Sequence, residues 1–181
     1  MSRAFVDEDA SIDAGLDARE TKIPVPPGSR NYLTPEGARR LHEELSGLVE
    51  SRRPSLASEI ARLESSSASS DLDTIAMLRQ RLASIDRRIE YLGRMASLAE
   101  VIDYRPGQGD RVVFGARVRV EEGSSGERVY RIVGADESDP ENGLLSWCSP
   151  LARALIGKKA GDCPILHLPG GDRVLRILAV E

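Results

Sequence analysis

Aromatic side chains are scarce in this chain, with four Tyr, two Phe and one Trp among 181 residues. Few positions are therefore available for a pocket lined with rings. Cysteine and histidine are scarcer still. Cys148 and Cys163 lack a CxxC spacing, and the only imidazoles are His42 and His167. Zinc and redox chemistry are not expected, and both thiols read as small buried side chains in a reducing compartment. No apolar run approaches the roughly 20 residues that span a bilayer, and the first residues lack the apolar block of a secretory signal. A cytoplasmic protein without a membrane partner is the expectation. The formal net charge of -4 argues against gripping bare duplex DNA through an overall field, and leaves room for a local basic face.

An apolar 40% and a charged 30% describe an ordinary folded composition, of a length that suits one domain or two small ones. Residues 1–31 carry Asp7, Glu8, Asp9, Asp13, Asp17 and Glu20 and end in the Pro-rich run from Ile23 to Gly28. Such a segment buries too little apolar surface to offset its ordering entropy, so an acidic disordered arm and extended linker are expected. It serves either as an electrostatic docking arm or simply as a solvated tail.

A helix is announced at Thr34, Pro35 and Glu36 by a capping hydroxyl, a proline in the first turn and an acid at the positive end. Leu41, Leu45 and Leu48 follow at spacings of four and three, and the stripe resumes in a changed phase at Leu56, Ile60 and Leu63 after Pro54. Pro54 removes a backbone donor, and a bend is expected there. Ile75, Leu78, Leu82, Ile85, Ile89 and Leu92 then keep heptad spacing without a break. Between the two stripes, residues 65–70 are five serines and Ala68, followed by Asp71 and Asp73. That connector is too short for anything but an antiparallel return, which makes a helical hairpin of roughly 40 Å at about 1.5 Å per residue. The rod suits a probe that enters something narrow, or a dimerisation arm.

From about residue 109 the pattern becomes β-rich. Residues 111–120 read as one strand interrupted at Gly115, 127–133 as its hairpin partner, and 144–147 as a third strand. Ser149 and Pro150 start a short helix that stops at Gly157, and strands at 165–168 and 174–180 complete an α+β chain.

The segment from Ile85 to Leu92, the run from Val113 to Ala116, Tyr130 to Gly134 with Asp136 and Glu137, and Ser149 to Leu155 with Gly161 and Asp162 resemble the GreA/GreB family of bacterial transcript-cleavage factors, leaning toward the GreB branch. The resemblance runs from Tyr32 to Glu181, including Thr34, Gly37 and the Arg53-Pro54 pair. It implies an N-terminal antiparallel coiled coil over 32–104 and an FKBP-like domain over 105–181. By that resemblance the C-terminal domain docks on RNA polymerase at its secondary channel, with Ser149, Pro150 and Arg153 at the polymerase-facing loop, while the rod approaches the active centre. Where GreB-like proteins carry an acid before the Ser-Pro pair, this chain has Cys148.

In the family, two tip acids in an Asp-x-x-Glu-Asn pattern hold a second Mg²⁺ that assists hydrolysis of backtracked RNA, because a two-metal site must neutralise both attacking and leaving oxygens. Here Ala68 falls on the first acid, Asp71 on the second and Leu72 on the Asn. Asp71 and Asp73 are the metal candidates, with Mg²⁺ shared with polymerase and no cofactor of the protein's own. The competing role for both acids is to cap the second helix. Arg52, Arg53, Arg62, Arg79 and Arg81, with Arg87, Arg88 and Arg94 further along the rod, are candidates to follow extruded RNA, or else form a salt-bridged flank with acids such as Glu64, Asp86 and Glu90.

The implied protein is a monomer and not an enzyme; it regulates elongation on polymerase, meets nascent RNA indirectly and carries the family's association with DNA binding. A non-cleaving inhibitor that competes for the same channel is the alternative favoured by the tip. A prolyl isomerase, suggested by the domain type alone, would have to build its pocket from Phe114, Tyr130 and Trp147.

Overall fold

A computed structural model describes residues 25–65, 72–107, 109–122 and 126–181. It is a mixed α+β chain with a helical N-terminal region and a β-rich C-terminal half. Two compact units emerge: Arg40–Ser97, and Lys22–Arg39 together with Leu98–Glu181. Residues 25–39, which include the first turn of the first helix, group with the β-rich half. No helix among the described residues is long and apolar enough to cross a membrane.

The helical unit is built from α1 (Pro35–Gly47), α2 (Arg53–Ser65) and α3 (Leu72–Ser97). Between α1 and α2, Leu48–Arg52 is a π-helical turn, closed by the Arg53 amide donating to the Leu48 carbonyl. A bend was expected at Pro54, and the π turn immediately before it is what the chain adopts. Pro54 has no amide to give and its ring crowds the carbonyl four residues back, which a wider turn relieves. The same turn accounts for the change of phase. Leu56 lies one residue beyond a seven-residue repeat from Leu48, and a π turn absorbs about one extra residue. Both leucines are consequently buried, with Leu41 and Ile60 from the same arm and Ile75, Leu78, Ile85, Leu92 and Met95 from α3.

Three ion pairs fix the direction of the two arms. Glu64 meets Arg79, Arg53 meets Asp86, and Glu44 meets Arg88, so numbers fall on one arm as they rise on the other. The arms are antiparallel.

In the second unit a short β1 (Asn31–Leu33) pairs in parallel with β2 (Ala99–Val101), Leu33 opposite Val101. A run of three residues carries no readable period, so this pairing was not expected from the sequence. The main sheet comprises β3 (Arg117–Glu122), β4 (Glu127–Val133), β5 (Leu144–Ser146), β6 (Ile165–Leu166) and β7 (Arg173–Val180), in the order β5-β4-β3-β7-β6. β4 and β5 run parallel and the other pairs antiparallel.

Residues 111–116 do not begin the first strand as expected. Gly115 stands at φ 88°, and a Cβ there would lie 2.3 Å from Tyr104 Cβ, so the chain turns at this point and only a glycine fits. Val112 and Ala116 are nonetheless fully buried. One face of the sheet packs Val118, Val120, Tyr130, Ile132, Leu175 and Ile177 against Ala152 and Leu155 of α4 (Pro150–Leu155). Alternation in β3 and β7 puts these residues on one side because successive strand side chains point to opposite faces.

Candidate functional site

The rod, its tip and the loop before α4 are the three regions where the sequence places function. At the tip, Asp71 and the serines after Ser65 lie outside the described residues. Asp73 is described, exposed in the first turn of α3 beside the exposed Leu72. Among the described residues no cluster of three or more His, Cys, Asp or Glu could hold a metal ion.

On the rod, the π turn and the facing stretch of α3 enclose a groove of about 330 Å³ lined by Ser51, Arg52, Ser55, Leu56, Glu59, Arg81 and Ile85. Arg52 and Arg81 are brought together here, each half-buried. Two guanidiniums and two hydroxyls beside one carboxylate form a donor-rich notch of the kind that suits phosphate oxygens. Sequence reasoning named the two arginines but not Ser51, Ser55 or Glu59, because the π turn that gathers them leaves no periodic signal. The other basic candidates divide differently. Arg53 donates to Asp86 at 2.7 Å and Arg79 to Glu64 at 2.6 Å, while Arg62 is exposed near the end of α2. Arg88, also among the basic residues named on the rod, grips Glu44 through two hydrogen bonds of 2.8 and 3.1 Å and lies over the Tyr91 ring.

In the C-terminal unit Ser149 caps α4, its hydroxyl accepting from the Ala152 amide at 3.1 Å, and Pro150 occupies the first turn. Pro150 and Arg153 are exposed and Ser149 half-buried. Ser149, Pro150 and Arg153 thus stand together at the N-terminal end of one short helix.

Cys148 beside them is buried, as expected, but Cys163 is exposed, although the next residue of its loop, Pro164, is buried. Burial, chiefly, pushes the Cys148 thiol up, against smaller opposing effects of the Ser146 hydroxyl and Arg153. An acid whose native pKa is raised retains its proton in the fold after the unfolded chain has lost it, so stability falls as pH rises above the ordinary thiol range. Iodoacetamide at neutral pH is expected to modify Cys163 at least tenfold faster than Cys148, as read by mass spectrometry of time points. Equal rates would show that the 148 loop opens freely.

The aromatic residues named for an isomerase pocket are engaged elsewhere. Trp147 meets Tyr32 edge-on at 5.3 Å between centroids, Phe114 lies 6.2 Å from the same ring, and Tyr130 is in the core.

Comparison with known proteins gives the family. Residues 31–101 match the family model described as transcription elongation factor, N-terminal, and residues 107–181 the one described as transcription elongation factor, GreA/GreB, C-term. The chain belongs to the GreA/GreB family. It is 37% identical over 159 residues to transcription elongation factor GreB of Xanthomonas axonopodis pv. citri, covering 86% of this chain and 95% of that one. It is 39% identical to transcription elongation factor GreA of Anaeromyxobacter sp., over 82% of this chain and 90% of the relative. Among solved structures, Gfh1, a GreA factor homologue of Thermus thermophilus, is 28% identical over 84% of this chain and 99% of its own, at a TM-score of 0.40.

Proposed function

We propose that this chain is a transcription elongation factor that docks on RNA polymerase through its C-terminal unit, in the manner of an FKBP-like domain, and presents its hairpin as a coiled coil to the secondary channel. The observation that carries the reading is the pairing of both family matches with an antiparallel helical hairpin whose tip falls between Ser65 and Leu72. Ser149, Pro150 and Arg153 are the docking residues in this reading, and the notch holding Arg52 and Arg81 is where extruded RNA phosphates are received. Arg62 adds charge at the end of α2, while Arg53 and Arg79 mainly tie the arms together through their carboxylate partners.

Asp71 and Asp73 are the chain's own candidates to share a Mg²⁺ with polymerase, and such an ion would neutralise charge on the oxygens exchanged in hydrolysis. Asp71 and Asp73 offer at most two carboxylates, too few hard ligands to hold the ion alone, and substrate phosphates would complete the set. Ala68 at the first tip acid favours a second reading, in which the chain occupies the channel without supporting cleavage. The two readings separate on whether purified protein shortens RNA in backtracked elongation complexes with Mg²⁺.

Docking is tested on Arg153 rather than Ser149, because removing the capping hydroxyl costs about 1 kcal/mol of stability by itself. Arg153→Glu on the exposed face of α4 is expected to weaken co-purification with core polymerase by about tenfold while the melting temperature stays unchanged. Undiminished binding would put the docking surface elsewhere.

A further inference from the structure

Thr34, Gly37, Gly134 and Glu137 are all within the family resemblance, yet none belongs to the rod notch, the tip or the docking loop. The structure joins them. Glu137 is a buried carboxylate whose Oε1 accepts from the Thr34 amide at 2.9 Å and the Gly134 amide at 3.2 Å, and whose Oε2 accepts from the Thr34 hydroxyl. The same hydroxyl accepts from the Gly37 amide at 3.0 Å.

This is a capping box with its acid supplied from far along the chain. In the usual arrangement the third helical residue is a Glu or Gln that reaches back to the cap amide. Here the third residue is Gly37, and the acid comes from a position 103 residues away. A Cβ on Gly37 would lie 2.1 Å from Glu137 Cδ, and one on Gly134 2.6 Å from Glu137 Oε1. Both glycines clear the space that the carboxylate fills. A local acid would cap α1 equally well, so the remote one does something a local acid does not: it binds the turn after β4 to the first turn of α1.

We infer that Glu137 is a positioning residue that fixes the first turn of α1 against the turn after β4, both within the same compact unit. The first turn of α1 lies in the unit that also holds Glu137, so a loosened cap shows directly as a wider spread of that turn against the sheet. The inference rests on the proposed function for its consequence on polymerase, and on geometry alone for its effect on the helix.

Two measurements on the full chain test it. Nitroxide labels at Arg39→Cys on α1 and Arg128→Cys on β4, in a Cys163→Ser background, report the helix direction against the sheet within one unit. With Glu137 intact a single narrow distance is expected; in Glu137→Gln and in Thr34→Val the distribution is expected to broaden at least twofold, and the double variant to add little, since both remove one network. An unchanged width in either single variant overturns the inference, as does a distribution already broad before substitution. On polymerase, Glu137→Gln is expected to bind within twofold of the natural chain while its effect on elongation falls at least fivefold. Equal loss of binding and effect would assign Glu137 a stabilising role only. If the natural chain itself does not act on polymerase, the label distances still decide the inference, and the proposed function alone fails.

Discussion

Restoring a carboxylate pair at the tip, Ala68→Asp with Asp71→Glu, is expected to raise cleavage of backtracked RNA by roughly tenfold or more over the natural chain. On the proposed function the rod and docking surface supply proximity, and the element to restore is charge that holds a metal ion. Alanine at position 68 offers no oxygen ligand, and Mg²⁺ binds through hard oxygens. The complementary change, Asp71→Asn, keeps the shape of the side chain and gives up its charge. It should abolish whatever cleavage the natural chain supports, and leave nearly unchanged any inhibition that arises from occupying the channel. The measurement is the length of labelled RNA in stalled complexes over time. No gain from the paired substitution, with polymerase binding intact, would mean that the tip does not reach the active centre.

Ile132→Ala is expected to destabilise the C-terminal unit by about 2–5 kcal/mol. Ile132 is fully buried at the centre of the sheet core, between Tyr130 and Val133 on β4, and its removed carbons leave a cavity that surrounding side chains fill only partly. Val129 on the same strand is 57% exposed, and Val129→Ala should cost no more than about 0.5 kcal/mol. Urea denaturation followed by Trp147 fluorescence reads both, since the indole packs against this core. A small effect at Ile132 would show that the unit tolerates the cavity by collapse. Polymerase docking should fall with the Ile132 change, because Arg153 and Pro150 stand on a helix that the same core supports.

The hairpin was legible because its signals are local and repeated. Leu41, Leu45 and Leu48, then the unbroken stripe from Ile75 to Leu92, give a period that only a helix satisfies, and Thr34 with Pro35 marks the start. Strand periods read over 111–120, 127–133 and 174–180 were legible for the same reason, and strands stand at 117–122, 127–133 and 173–180. The fault at 111–116 arose because alternation continues through Gly115 in the sequence, and only contact with Tyr104 forces the turn. The exposed position of Cys163 was likewise invisible, since residue type predicts burial on average and the loop's place decides it.

By itself the sequence determined the hairpin arms, the strand content, the family and the identities of the charged side chains on rod and loop, since each rests on a repeating pattern or a contiguous motif. The tertiary structure alone decided which of those side chains meet. Arg52 and Arg81 line one groove beside the π turn that precedes Pro54, Arg53 and Arg79 find Asp86 and Glu64 because the arms run antiparallel, and Glu137 caps a helix whose cap residue lies 103 positions away. Encounters between residues distant in the chain are paid for by the packing of the whole, and no local pattern encodes them.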